Sequence, residues 1–209
     1  MTLTTKGLAT RQRIIQSTAE YLRSNDPGSA TLDDIRVVTR TSKGQLFHYF
    51  PGGKEQLWLE VARFEADRVL DDQQPYLGAL DSWESWEQWR TVLVARYRAQ
   101  GKNCPLATLM GQVGETGTTE VVTALLQHWE DDVRQGILKL HSAQPRHGGI
   151  DAATLAAAFI AGIQGGVSVL RTTGDTAHLE AVLDVLFAAL RTSVGTASVR
   201  QTRDGGSQV

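Results

Sequence analysis

Two helix-start patterns lie eleven residues apart near the beginning of the chain, and they constrain the fold more than any other feature. In Thr31-Leu-Asp-Asp34 and in Ser42-Lys-Gly-Gln45, a side-chain hydroxyl precedes a carboxylate or carboxamide by three residues. Such capping boxes satisfy the unpaired backbone N–H groups at the start of a helix. Because each pattern opens only about two turns of helix before the next break, residues 31–54 predict a helix-turn-helix.

The second helix of this pair, predicted over 42–49, carries side chains that can contact DNA. Lys43 can meet a phosphate or a guanine, His48 a phosphate or a base, and Tyr49 a phosphate. Gly44 presents no side chain, so the helix can approach a duplex closely. Gln45 has two alternative roles: it can read adenine with a two-pronged hydrogen bond, or the capping box occupies its carboxamide.

These residues carry a resemblance to a known family. The run 42–50, SKGQLFHYF, followed by Pro51, Lys54, Glu55 and Leu57, resembles the signature of the TetR family of transcriptional repressors. The match covers residues 10–61, and the rest of the chain is similar only in architecture. The resemblance implies a homodimer that binds a palindromic operator on double-stranded DNA and is released by a small-molecule effector. Repression is the family's usual mode.

The resemblance and the local chemistry together predict the DNA-contact surface. Its residues are Thr31, Arg40, Thr41, Ser42, Lys43, Gly44, Gln45, Phe47, His48, Tyr49 and Lys54. Phe47 has two alternative positions, against a thymine methyl group in the groove or within the small core of the head. Arg11 and Arg13 also have two, as phosphate contacts or as a solvated helix start.

The sequence departs from the family pattern at two points. Arg40 stands in the turn where the family usually has glycine, and a left-handed conformation costs a non-glycine residue roughly 1 kcal/mol. The segment Pro51-Gly-Gly53 is one residue longer than usual before Lys54, which resembles the family's phosphate-binding lysine. These departures favour an alternative function, a helical small-molecule sensor or carrier without specific operator binding.

Charge and cysteine usage agree with a cytoplasmic DNA-binding protein. Residues 1–60 hold a net charge of +2, although the whole chain has −2, so the remainder has −4. A basic end on an acidic body is a modest electrostatic footprint for nucleic acid. The single Cys104 excludes an internal disulfide and suits a reducing compartment, and its place in a turn before Pro105 also allows a redox role. We expect no signal peptide, no membrane span, no metal and no cofactor.

The middle of the chain predicts a helical body with a ligand pocket. Trp83, Trp86, Trp89, Leu93 and Tyr97 form one aromatic stripe, which is either ordinary core or the wall of a pocket. The predicted pocket residues are Phe64, Trp86, Trp89, Tyr97, Met110 and Trp129. A charge-free run over 152–170 is mostly Ala and Gly, and we interpret it as a helix covered by protein on both sides.

The last two predicted helices, over 151–172 and 175–193, carry the predicted homodimer interface. Small residues recur every four positions on the first, and leucines line the second. Two such helices from each of two chains would form a four-helix bundle. The predicted interface residues are Leu155, Phe159, Gly162, Gly166, Leu179, Val182 and Leu186.

The chain as a whole is predicted to be all-α, with about nine helices in two domains. Thr10 is expected to cap the first helix after a loosely held arm over 1–9, and Thr118 or Thr119 to cap the helix that runs to about residue 140. Residues 8–68 form the DNA-binding domain, with the helix-turn-helix at about 31–50, and 69–194 form the ligand-binding and dimerisation domain. Residues 195–209 are polar and glycine-rich, which predicts a disordered tail. The sequence contains no Ser/His/Asp arrangement, no phosphate-binding glycine loop and no HExxH pattern, so we expect no enzyme.

Overall fold

A computed structural model describes residues 4–143 and 150–194, and all regular secondary structure within these ranges is helical. The predicted tail at 195–209 lies outside them. The predicted all-α fold is confirmed, and the described helices are α1 (Thr5–Ser24), α2 (Leu32–Thr39), α3 (Lys43–Tyr49), α4 (Gly53–Asp71), α5 (Trp83–Gln100), α6 (Pro105–Met110), α7 (Glu115–Ala143), α8 (Ala152–Thr173) and α9 (Ala177–Val194), with a short 3-10 helix at Leu77–Ala79.

Helix α1 begins earlier than the sequence predicts. We expected Thr10 to cap it after a loosely held arm, but the cap is Thr4, whose hydroxyl accepts the Gly7 N–H at 3.2 Å. The Thr10 hydroxyl donates to the Lys6 carbonyl at 3.0 Å, one turn back within the helix. Threonine makes both kinds of bond, so its presence alone does not locate a helix start.

The same ambiguity displaces the predicted start of α7. We expected Thr118 or Thr119 to cap it, whereas the helix begins at Glu115. The Thr118 hydroxyl instead donates to the Met110 and Val113 carbonyls, at 3.1 and 3.2 Å. It therefore satisfies backbone acceptors at the end of α6 and in the following turn.

Helix α4 runs through two hydrophobic cores. Its first half places Leu57 and Val61 in the core of the head, and its second half places Val69 and Leu70 in the core of the body. The boundary that we predicted between residues 68 and 69 thus falls inside one continuous helix. Head and body share this helix as a common structural element.

The head is held together around α1 and α4. Leu57 and Ile14 are fully buried in its core. The Trp58 indole N–H donates to the Pro27 carbonyl at 3.3 Å, which ties α4 to the connection between α1 and α2. Arg23 on α1 and the buried Glu65 on α4 form an ion pair at 2.7 Å. These contacts fix the frame on which α2 and α3 are mounted.

Helix α8 is long and apolar enough to cross a membrane by length and composition, with a mean hydropathy of 1.7. In the structure it packs between α7 and α9 as a core helix. Leu155, Phe159, Ile163 and Leu170 are at most 1% exposed. One side of the helix is thus covered by protein, whereas Ala157, Ala161 and Gly165 on the other side are exposed, so the predicted cover on both sides is incomplete within one chain.

The residues predicted for the dimer interface belong to the contact between α8 and α9 of one chain, which requires a correction. A Cβ on Gly166 would lie 2.7 Å from the Leu179 Cα, and one on Gly162 would lie 2.9 Å from a Val182 methyl. Helix α9 therefore occupies the small-residue side of α8. The members of this internal contact and the adjoining core are Leu155, Phe159, Gly162, Gly166, Leu179, Val182 and Leu186. A second copy would have to use other faces.

A glycine also fixes the approach of α7 to the segment that follows α4. A Cβ on Gly136 would lie 2.5 Å from the Leu80 Cβ and 3.1 Å from its carbonyl oxygen. We predict that Gly136→Ala lowers the free energy of unfolding by about 1–3 kcal/mol, because the added methyl overpacks against backbone. Urea unfolding measures this, with the exposed neighbour Gln135→Ala as the control, expected to stay within about 0.5 kcal/mol of the parent chain. Equal stability of both variants would contradict the close contact.

Candidate nucleic-acid interface and ligand cavity

Both predicted capping boxes are present in the structure. The Thr31 hydroxyl accepts the Asp34 N–H at 3.2 Å, and the Asp34 carboxylate accepts the Thr31 N–H at 2.8 Å. At α3 the Ser42 hydroxyl accepts the Gln45 N–H at 3.1 Å, and the Gln45 carboxamide oxygen accepts the Ser42 N–H at 2.9 Å. Hydrogen bonds from the Thr31 hydroxyl and N–H lower the pKa of Asp34, so this cap stays ionised.

Arg40 adopts the left-handed conformation that the turn requires. Its φ and ψ are 51° and 47°, and it is the one non-glycine residue with positive φ among the described residues. The Arg40 N–H donates to the Val37 carbonyl at 3.2 Å, and the Thr41 N–H to the Arg36 carbonyl at 3.1 Å. These two hydrogen bonds together form a Schellman motif. The turn thus keeps the shape for which glycine is usual, and it leaves an exposed cation beside α3.

Helix α3 exposes one face and buries the other. Lys43, Gly44 and His48 are exposed, whereas Leu46 is buried in the head core. Phe47 is 40% exposed, and its ring lies beside Gly53, where a Cβ would be 3.6 Å from the Phe47 Cε1. Of its two predicted positions, the exposed one agrees better with the structure.

The capping role of Gln45 is the one that the structure shows. Its Oε1 is the acceptor for the Ser42 N–H, and its Nε2 makes no hydrogen bond within the described part of the chain. Reading adenine in two prongs needs Oε1 as an acceptor and Nε2 as a donor at the same time. Base reading by Gln45 would therefore compete with its cap.

Two of the predicted contacts have internal partners. Thr41 is 7% exposed, and its hydroxyl lies 2.8 Å from that of Thr39, so its side chain supports the turn. We remove the Thr41 side chain from the proposed DNA contacts. Tyr49 is half-buried, with its ring edge-on to His48 at 5.0 Å between centroids.

The additional glycine has a conformational reason. Gly53 has a φ of 67° at the first position of α4, where a residue with a side chain would be strained. Lys54 follows it, half-buried, with its ammonium 5.1 Å from the centre of the Trp58 ring. A cation over an indole face is held in place electrostatically. The longer connection therefore leads Lys54 to a defined position at the start of α4.

The two arginines of α1 serve the head itself. Arg11 pairs with Glu60 at 2.9 Å and lies over the Phe50 ring at 5.3 Å. Arg13 donates to the Thr39 carbonyl, near the end of α2. These contacts match neither predicted role, because both arginines hold α1 against α2 and α4.

A cavity of about 400 Å³ lies in the body. Of the predicted ligand-binding residues, Tyr97 and Met110 line it. Trp86, Trp89 and Trp129 are fully buried in the body core and do not line it, and Phe64 packs against the head core. Cys104 is half-buried and borders the cavity.

Within the aromatic stripe, Trp86 and Trp89 are core because their rings pack on one another and on α8 and α9, whereas Tyr97 lines the cavity. Trp86 meets Trp89 and Phe159 at 5.5 Å and Phe187 at 5.9 Å between ring centroids. We therefore correct the pocket wall: Trp86, Trp89 and Trp129 are not part of it.

Sequence reasoning missed the polar side of the cavity. Arg96, Gln100, Gln164 and Arg171 all line it. They come from α5 and α8, which are far apart in the chain. Polar residues of these types are common on solvent-exposed helix faces, so their identity alone does not indicate a cavity. The spacing of Arg96, Tyr97 and Gln100 on one helical turn was the only local signal.

Comparisons with known proteins support the fold. No family model matches the sequence. An uncharacterised HTH-type transcriptional regulator of Mycobacterium tuberculosis is 23% identical over 137 residues, which span 58% of this chain and 66% of that protein. The chain thus matches slightly less than two thirds of this relative's length.

Three solved structures are similar over nearly the whole chain. A TetR-family regulator from Cytophaga hutchinsonii is 19% identical with a TM-score of 0.69, covering 91% of this chain and 98% of its own. One from Chloroflexus aurantiacus is 22% identical with a TM-score of 0.68, covering 91% and 97%. SmeT of Stenotrophomonas maltophilia, solved with triclosan, is 16% identical with a TM-score of 0.63, covering 90% and 95%. The resemblance predicted from SKGQLFHYF is confirmed, and the chain has the fold of the TetR-family transcriptional regulators.

Proposed function

We propose that this chain is a sequence-specific, DNA-binding transcriptional regulator that acts as a homodimer in the cytoplasm. It is a repressor released from an inverted-repeat operator by a small-molecule ligand. The observation that carries the proposal is the exposed face of helix α3. This helix begins with a capping box and exposes Lys43, Gly44 and His48 to solvent. The similar proteins are named as regulators rather than enzymes, which supports a non-enzymatic role.

The exposed groups of the head suit the major groove of DNA. Arg40 in the turn and Lys43 at the start of α3 are exposed cations, and Lys54 stands at the start of α4. Helix N-termini attract phosphate because their N–H groups and dipole favour negative charge. Two heads related by a two-fold axis would occupy successive major grooves about 34–36 Å apart, which predicts an inverted repeat.

Exposed strips on α8 and α9 are the proposed dimer surface. Ala157, Ala161 and Gly165 recur every four residues on α8, and Ala181 and Val185 do so on α9. A Cβ on Gly165 would meet nothing within 4 Å, and Val185 is 68% exposed. Small residues allow close approach of a second copy, and pairing of these strips would form the four-helix contact.

Contacts of α6 support the coupling of ligand binding to DNA binding. Leu106 and Met110 line the cavity, while Leu109 and Val113 lie in the head core. A ligand in the cavity therefore touches a segment that is packed into the DNA-binding head. Regulation requires only that the ligand bind one arrangement of these elements more tightly than the other. The triclosan complex of SmeT shows that a protein of this fold binds a small molecule.

The alternative is a helical sensor or carrier without a specific operator, and the cavity favours it equally. The two departures from the family pattern no longer favour this alternative. Arg40 keeps the turn geometry, and Gly53 supplies the conformation that the longer connection needs.

A gel shift with the intergenic DNA upstream of the gene separates these functions. We expect a salt-sensitive complex that random DNA does not compete away, because phosphate contacts supply affinity and base contacts supply specificity. Lys43→Ala should weaken binding and reduce the salt slope by about 1 if the lysine meets a phosphate. The matched control Lys139→Ala, exposed on α7, should bind as the parent does. Equal, weak binding to specific and random DNA would support the sensor instead.

Gly44 provides a test in which stability and DNA binding move in opposite directions. A Cβ at Gly44 meets only the Ser42 hydroxyl, at 4.0 Å, so Gly44→Ala should fold and gain up to about 1 kcal/mol from helix propensity. The added methyl would stand between α3 and the groove, so operator affinity should fall. Thermal unfolding and gel shifts measure the two effects. Unchanged operator affinity in the stabilised variant would remove this face of α3 from the interface.

Val185 tests the proposed dimer surface. Val185→Glu places a charge on an exposed strip without entering the core, so the variant should fold but dissociate to monomers, as measured by analytical ultracentrifugation. Ala95→Glu, on the exposed side of α5, is the matched control and should keep the parent's oligomeric state. A dimer of unchanged stability in Val185→Glu would place the interface elsewhere.

A further inference from the structure

The cavity is divided by polarity according to the helices that line it. Helices α4, α6 and α7 contribute an almost wholly aliphatic side, formed among others by Val69, Leu106 and Leu125. Helices α5 and α8 contribute most of the hydrogen-bonding groups. A cavity of this kind matches a ligand with an aliphatic body and a polar head.

The polar side offers donors without partners. The Gln100 carboxamide nitrogen is buried with no hydrogen-bond partner, while its oxygen accepts from Arg96 at 3.3 Å. Tyr97 is 4% exposed and lines the cavity, and its hydroxyl makes no hydrogen bond within the described residues. Burial raises the pKa of Tyr97 to about 12, so the phenol keeps its proton at neutral pH. A buried donor without a partner, such as the Gln100 nitrogen, is costly unless a ligand supplies an acceptor.

The charges that line the cavity are positive. Arg96 and Arg171 border it, and its lining includes no aspartate or glutamate. Asp72 partly balances Arg96 at 3.2 Å, whereas Arg171 makes no ion pair within the described ranges. The ends of α5 and α8 meet, since a Cβ on Gly174 would lie 2.9 Å from the Lys102 side chain. Gln100 and Arg171, each within one turn of these ends, therefore border the same part of the cavity.

We propose that the effector is an amphipathic anion, whose acceptor-rich head binds Arg171, Gln100 and Tyr97 and whose aliphatic body lies against α4, α6 and α7. This inference rests on the proposed ligand-binding function and narrows it to one chemical class. An anion is favoured over a neutral alcohol because the Arg171 guanidinium, with Arg96 on the same cavity wall, strengthens hydrogen bonds to a charged acceptor. A cationic head would meet like charge.

Three probes with the same aliphatic chain test this class in the full-length protein. Isothermal titration calorimetry compares decanoate, decan-1-ol and decyltrimethylammonium, all below their aggregation concentrations. We expect decanoate to bind at least about tenfold more tightly than the alcohol, as one charge-assisted hydrogen bond implies, and the ammonium to bind most weakly. Equal affinity for the three probes, or no saturable binding of decanoate, would overturn the inference.

Arg171 supplies the variant, because its exposed position lets the fold tolerate replacement. Arg171→Gln should weaken decanoate binding by about 10- to 100-fold and leave decan-1-ol binding unchanged. The matched control is Arg98→Gln, an exposed arginine of α5 that pairs with Glu180 and does not line the cavity. Equal loss for both probes in Arg171→Gln would show a general disturbance of the cavity and contradict the assignment.

A separate gel shift distinguishes failure of this inference from failure of the proposed function. Decanoate that binds through Arg171 without releasing upstream DNA supports the ligand class and contradicts ligand-controlled DNA binding. Specific DNA binding together with indiscriminate binding of the three probes supports the regulator and overturns the ligand class.

Discussion

The packing of α4 is the constraint on which the other parts depend. This helix contributes Leu57 and Val61 to the head core and Val69 and Leu70 to the body core. Leu59 packs against both cores. A helix of this length cannot change its position at one end without disturbing close-packed side chains at the other, since protein interiors transmit displacement through contacts. The position of the α2–α3 turn is therefore tied to the packing of the body.

Local interactions made the α2–α3 region predictable from sequence. Each capping box is contained within four residues, and its two bonds need no distant partner, so Thr31 and Ser42 identified the helix starts correctly. Thr10 and Thr118 led to wrong helix starts because a threonine hydroxyl can equally well donate a hydrogen bond to a carbonyl earlier in the chain. A single potential cap is ambiguous, whereas a reciprocal pair is specific.

Nonlocal packing explains what the sequence left open. The small residues of α8 correctly indicated close helix contact, but composition does not say whether the neighbour belongs to the same chain. The structure places Leu179 there, against Gly166. Likewise the three tryptophans Trp86, Trp89 and Trp129 are equally compatible with core and pocket until the positions of Phe159 and Phe187 are known. The polar cavity residues depend on the meeting of α5 and α8, which local patterns do not encode.

The ion pair between Arg96 and Asp72 connects the proposed ligand class to the head. Asp72 is the C-cap that follows α4, and the guanidinium of Arg68 on that helix lies 3.8 Å from its carboxylate. An anionic ligand near Arg96 would compete with Asp72 for one guanidinium, so binding would alter the electrostatic environment at the end of α4 as well as the apolar contacts of α6. A neutral ligand of the same shape would change only the apolar contacts. Since coupling between two binding sites is reciprocal, DNA that fixes α4 through the head must alter anion affinity by the same factor. Under the proposed function, the charge of the ligand would thus contribute to regulation through the Arg96–Asp72 ion pair, in addition to the apolar contacts that fill the cavity.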